Sequence, residues 1–181
     1  SIAPGVTYAN GDAEDMGLDV LTPSGEILSV DDPALISRLG AGLSPSNQLK
    51  LVRSDRALTD CRPVSLISLQ TIHQIESELR MPIDIRRFRA NIYFNFVTER
   101  GGFAEDQFVG RRLRIGSQAT IMVLERDPRC KLISLDPETS EHNPEVLRKI
   151  VREHENLAGV YCAVLVEGLL RKGDLIELED G

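Results

Sequence analysis

The chain has 181 residues, a formal net charge of −7, 41% hydrophobic and 27% charged residues, so it can bury a core of its own without a disulfide staple and has the composition of a folded globular protein. The acidic balance excludes a general nucleic-acid binder, which needs a basic surface to release counterions from phosphates, so any anion site must be local. No apolar run approaches the roughly 20 residues that span a bilayer, and the first residues lack the basic and apolar regions of a signal peptide; a cytoplasmic chain with no membrane partner is expected. Cys61, Cys130 and Cys162 are an odd number with no C-x-x-C pair, which suggests neither a disulfide framework nor a structural zinc site and fits a reducing compartment.

Residues 1–17 are polar and Gly-rich without periodicity and read as a flexible segment or tag remnant ahead of a domain over 18–181. Asp19 to Thr22 and Glu26 to Val30 flank the turn Pro23-Ser24-Gly25 and predict a β-hairpin. Asp32-Pro33 supplies a cap and an N1 proline for a short helix that should stop at Gly40, and Leu49 to Val52 resumes the strands. Pro63 to Ile67 reads as a buried strand, and Ser68 as the N-cap of a helix with Leu69, Ile72, Ile75 and Leu79 on its apolar face. A strand over Asn91 to Val97 follows a basic stretch, and Arg112 to Ile115 with Ala119 to Leu124 predicts a hairpin across Gly116. Asn143-Pro144 opens a helix with Val146, Leu147, Ile150 and Val151 on one face, Glu145 one turn before Lys149, and an end near Asn156. Val160 to Val166 and Asp174 to Leu178 complete the strands. Many short strands with two or three helices and no regular β-α alternation predict a β-rich α+β fold, a mostly antiparallel barrel rather than a doubly wound sheet.

The densest cationic feature is Arg80, Arg86, Arg87 and Arg89, followed at once by Asn91. Arginines here could grip phosphate or carboxylate bidentately, and in an extended segment Arg87, Arg89 and Asn91 would share one side; the plainer reading is a solvated basic turn. Ser68 and Thr71, in the first turn of their helix, sit where free amides and the helix dipole favour a phosphate, although a capping serine needs no ligand to explain it. Cys130 lies between Arg129 and Lys131 in Asp127-Pro128-Arg129-Cys130-Lys131, flanking charges that favour the thiolate that acts as a nucleophile or binds a soft metal. Cys162, within an apolar strand, reads as inert core, and nothing but its place at a strand start recommends Cys61. His73, His142 and His154 have no metal-ligand spacing and read as surface residues, and Glu105-Asp106 and Asp136 as turn or capping acids. There is no nucleophile elbow, Walker loop or G-x-G-x-x-G.

In order, Pro63-Val64-Ser65-Leu66-Ile67-Ser68, Arg86-Arg87-Phe88-Arg89-Ala90-Asn91-Ile92, Phe103-Ala104-Glu105-Asp106 with Val109-Gly110, Leu113-Arg114-Ile115-Gly116, Arg129-Cys130, Asp136-Pro137-Glu138-Thr139 and Gly168 with Gly173-Asp174 resemble the MOSC domain over roughly residues 60 to 178. That family includes the C-terminal domain of eukaryotic molybdenum-cofactor sulfurases, the mitochondrial amidoxime-reducing component and bacterial proteins that reduce N-hydroxylated compounds. The resemblance implies a MOSC-type β-barrel and a molybdenum-molybdopterin cofactor, with Cys130 ligating molybdenum or carrying sulfur. It also implies that Arg89 and Asn91, with Arg87 and Arg129 beside them and Ser68 and Thr71 as weaker candidates, hold the pterin phosphate. It leaves two readings open: a small oxidoreductase acting on N-oxygenated substrates with a redox partner, and a persulfide carrier or cofactor-delivery module served by a sulfur donor protein. Two departures from the family are Ala90, where proline is usual, and the expected lack of a basic N-terminal segment that helps hold the cofactor in reductase members.

Overall fold

The computed structural model describes residues 18–22, 24–41, 43–44, 49–51 and 61–179. The expectations for residues 1–17, Pro23 and Val52 lie outside them. The chain divides into two compact units, residues 1–56 and 57–181. In the first, β1 (Asp19–Leu21) pairs antiparallel with β2 (Ile27–Ser29), as the hairpin reading expected. Helix α1 (Pro33–Gly40) starts as its sequence dictates, with Asp32 Oδ1 accepting from the Ala34 amide at 2.8 Å and proline at N1.

The second unit is built on β3 (Val64–Ser68), α2 (Leu69–Leu79), β4 (Ile92–Phe94), β5 (Arg112–Ile115), β6 (Ala119–Pro128), α3 (Glu145–Glu153), β7 (Leu157–Val166) and β8 (Ile176–Glu179). The sheet order is β4-β3-β7-β6-β5-β8, in which β3 and β4 run parallel, with α2 in the crossover between them, and the other pairings are antiparallel. The edge strands β4 and β8 both line one apolar groove of about 760 Å3, beside Phe96 and Phe108, as the sheet curls into a half-barrel. The fold is thus α+β, a curled six-stranded sheet with two α-helices in this unit, and a small hairpin and helix in the other.

Alternation places the core. Leu66, Val123, Val160 and Cys162 turn into the curl with Leu113, Ile115 and Ile121. Ile67, Ile72 and Ile75 pack on the outer side against Val146, Ile150 and Phe88. Helix α2 therefore buries the expected stripe, and α3 buries Val146 and Ile150 but leaves Val151 half exposed. The expected Glu145 to Lys149 pair does not form: Arg148 takes Glu145 and Lys149 takes Glu153. Strand β4 is shorter than expected, because Phe96 leaves the ladder to pack edge to face on Phe94 and against Phe108. Strands β6 and β7 are longer than expected, β6 running past Leu124 through Asp127 and Pro128.

The first turn of α2 is closed by a buried acid. Glu105, fully buried, accepts from the Ser68 amide at 3.1 Å, the Ser68 hydroxyl at 2.8 Å and the Thr71 hydroxyl at 2.7 Å. It stands at the helix N-terminus that the sequence offers as a phosphate site, satisfying the Ser68 amide and the two hydroxyls. Replacing Glu105 with leucine leaves several buried donors unpaired and is expected to cost roughly 3 kcal/mol or more in urea unfolding. Glu105→Gln, which keeps an acceptor oxygen, should cost less.

Candidate functional site

Cys130 follows directly on β6, whose last residues carry the chain out of the sheet. Between β6, β7, the start of β3 and the segment before β4 lies a cleft of about 500 Å3. Cys130, Arg87, Arg89, Asn91 and Arg129 all line it, together with Cys61, Ser65, Asp127 and Tyr161. Ser68 and Thr71 do not: both are fully buried and their polar atoms are committed to Glu105.

The arginine cluster converges for a different reason than period-two alternation. Arg87 sits in a 3-10 turn, Ile85–Phe88, capped by Asp84, and Arg89 follows in the left-handed region at φ 51°. A non-glycine residue there costs about 1 kcal/mol, a strain held at the cleft wall. Arg87 Nη2 donates to Asp136 Oδ2 at 2.9 Å, with its side chain only 11% exposed, while Nη1 is buried and has no partner among the described residues. The Arg89 guanidinium makes no ion pair among the described residues. Asn91 spends its carbonyl oxygen on Ser65, accepting from that residue's amide at 2.9 Å and hydroxyl at 3.0 Å, and its side-chain amide donates to no described group. The cleft therefore presents two sets of donors, on Arg89 and the Asn91 amide, that no described residue takes, beside Arg87, which Asp136 holds.

Arg129 is turned the other way. Its Nε donates to Ala158 O at 2.8 Å and Nη1 to Phe88 O at 2.8 Å, and Nη2 reaches both Ala158 O and Asp127 Oδ2, the last at 2.7 Å. Burial lowers its pKa, opposed by Asp127. Its donors are thus spent on Ala158, Phe88 and Asp127, and Arg129, expected to grip a ligand, lines the cleft as an anchor beneath the residue beside it. The approach needs Gly159, at φ +81°: a Cβ there would stand 2.9 Å from Leu66 O and 3.1 Å from Arg129 Nη2. Asp127, to which the sequence reading gives no role, is buried in β6 and also holds Tyr161, whose phenol is pushed up to about 12 by burial and by that neighbouring carboxylate.

The thiols divide clearly. Cys130 and Cys61 are exposed on the cleft, whereas Cys162 is buried and burial pushes its thiol up to about 12. Tyr161 and Cys162 alternate across β7, one on the cleft and one in the core, the signal that would have found Tyr161. Cys61 carries no sequence signal, since only the turn into β3 brings it there. Asp136 is held below the usual carboxylate range by the amides of Thr139 and Glu138, at 3.0 Å each, and by Arg87.

Two outcomes follow. A disulfide reagent should titrate Cys61 and Cys130 in the native protein and reach Cys162 only after unfolding, because thiolate access governs the reaction. Asp136 binds its proton more weakly folded than unfolded, so its stabilisation is complete above the ordinary carboxylate pKa and is lost as pH falls through the depressed value. Thermal unfolding followed from pH 6 to pH 2 should show Asp136→Asn with a shallower acid decline than wild type.

Comparison with known proteins bears on the whole arrangement. The family model of the MOSC domain matches residues 53–177, well over half of the chain. No curated protein matches it. Among solved structures, the crystal structure of YiiM from Geobacillus stearothermophilus is similar, with a TM-score of 0.51 and 18% identity over 66% of this chain and 55% of that one. The chain thus spans little more than half the length of that structure, and the likeness is one of fold. With the match running from just before β3 into β8 and taking in every residue of the cleft, the chain belongs to the MOSC domain family.

Proposed function

We propose that the cleft binds a molybdenum-pterin cofactor, with Cys130 as the metal ligand and Arg87, Arg89 and Asn91 holding the anionic end, in a MOSC-type barrel that serves a small oxidoreductase of N-oxygenated compounds. The observation that carries the reading is that Arg87, held by Asp136, lines the same cleft as an exposed thiol. Guanidinium groups grip phosphate and other anions through charge-assisted hydrogen bonds. The Arg89 guanidinium and the Asn91 amide add donors on the same wall. Cys130 supplies the soft thiolate that molybdenum takes, at a fixed position because Arg129 holds the preceding backbone. A cleft of about 500 Å3 is of the size that encloses a cofactor-sized ligand.

When bound, the cofactor supplies two-electron redox chemistry at the metal, with electrons from a redox partner. The chain's own residues bind and orient it: three cleft donors fix the anionic end, Asn91 is itself fixed by Ser65, and Asp136 fixes Arg87. Tyr161, held protonated across the neutral range, offers the cleft a phenol rather than a second anion.

The exposure of Cys130 supports a second reading, a sulfur carrier in which that thiol holds a persulfide from a sulfur donor protein without turnover on this chain.

Expressed in a host that makes molybdopterin, the wild-type protein should purify with near-stoichiometric molybdenum and pterin, by elemental analysis and fluorescence of the oxidised pterin. Cys130→Ala should lose the metal, and Arg89→Glu should lower both. Absence of metal and pterin from the wild type overturns the cofactor reading; a mass increase of one sulfur on Cys130 then selects the carrier.

A further inference from the structure

Away from the cleft, where the C-terminal ends of α2 and α3 meet, three metal-ligating side chains come together. Glu78 is in the last turn of α2, Glu153 is the last residue of α3, and His154 follows it. One donor atom from each, an imidazole nitrogen and two carboxylate oxygens, lies within 4.8 Å of the other two. His154 Nε2 and Glu78 Oε2 are 2.7 Å apart. The imidazole is only 12% exposed and stacks on Phe103 with ring centres 4.0 Å apart, so the direction of its donor nitrogen is fixed. The sequence places His154 on the surface; the structure makes it the inner member of this group.

The electrostatics of the place favour a cation. Both helices bring their negative dipole ends here, and each puts a carboxylate at that end, the unfavourable arrangement on both counts. Lys149 Nζ is 2.7 Å from Glu153 Oε1, and the pKa of Glu78 is lowered, burial raising it against the His154 and Gln74 hydrogen bonds and Lys149. Pairwise ion pairing thus accounts for Glu153 with Lys149 and for Glu78 with His154. Arg80 at the end of α2 and Arg152 in the last turn of α3 also meet the helix dipoles, but neither forms an ion pair with Glu78 or Glu153 among the described residues.

We infer that Glu78, Glu153 and His154 form a binding site for a divalent cation of the zinc class, which accepts mixed imidazole and carboxylate ligands and keeps a fourth position for water. Bound, the ion takes the neutral imidazole at Nε2 and one oxygen from each carboxylate at about 2.0 to 2.2 Å. It replaces the Glu78 to His154 hydrogen bond and frees Lys149. It joins α2 to α3 just before the turn at Glu155 and Asn156, both at positive φ, through which the chain enters β7. This site is separate from the cleft and stands whether or not the cofactor reading does.

The test is zinc binding by calorimetry to the full chain carrying Cys61→Ser and Cys130→Ser, which removes the exposed thiols as competing ligands. One zinc per chain should bind and raise the thermal unfolding temperature. His154→Ala and Glu78→Gln should each weaken binding more than about tenfold, a loss at least as large as that for removing a residue that only orients a ligand. Glu153→Gln changes an exposed side chain, so weakened zinc binding in that variant, with unchanged circular dichroism, separates ligation from folding. Cobalt in place of zinc should give the visible absorption of a nitrogen and oxygen site without thiolate charge transfer. Absence of zinc binding, or binding that His154→Ala leaves unchanged, overturns the assignment.

Discussion

One buried guanidinium organises the cleft. Arg129 reaches three separate stretches of chain: the carbonyl of Phe88 just before Arg89, the carbonyl of Ala158 at the start of β7, and the carboxylate of Asp127 in β6. Each end of the cleft is thereby referred to the same rigid fork. A guanidinium suits the task because its five donors are coplanar and keep their charge when buried, where an ammonium would lose either geometry or proton. The backbone of Cys130 is adjacent to this anchor, so the exposed thiol is positioned through the chain that carries it. Gly159 completes the arrangement by leaving out the one carbon that would block it.

Against this fixed frame the cleft keeps some polar groups satisfied and others not. Asp127, Ser65 and Asp136 spend themselves on neighbours, and what they hold in place, namely Tyr161, Asn91 and Arg87, faces the ligand space. An acidic protein can thus present local positive potential: its carboxylates are distributed as supports behind the donors rather than across the opening. The same division accounts for Glu105, whose carboxyl closes a helix end far from the cleft and removes that end as an anion site.

Much of the fold was legible because it rests on local rules. The cap at Asp32, the cap at Ser68 and the stripe of Ile72 and Ile75 each follow from a few neighbouring residues, and the structure has them where the sequence reading puts them. Of the cleft, Cys130, Arg87, Arg89 and Asn91 could be named together only because the motifs around them resemble a family; the geometric reason offered, alternation along a strand, differs from the 3-10 turn and left-handed residue that bring them round. What stayed hidden depends on partners distant in sequence. Glu105 looks like a turn acid until β3 and α2 are placed beside it, and Arg129 looks like a ligand contact until Ala158 and Phe88 arrive to accept its donors. His154 likewise reads as a helix-end polar residue until Glu78 lies against it.

The pairing of β3 with β7 sets Val64 opposite Cys162 and Ser65 opposite Tyr161. Roughly a hundred residues of intervening chain must be made before those partners meet, so the wall of the cleft is among the last parts to assemble during synthesis, whereas α2 can form as soon as its own residues emerge. A nascent chain carrying every one of Cys61, Arg87, Arg89, Asn91 and Cys130 still has no cleft, because the carbonyl of Ala158 that seats Arg129 has yet to leave the ribosome. Loading of any ligand there therefore follows sheet closure and not the appearance of the residues that bind.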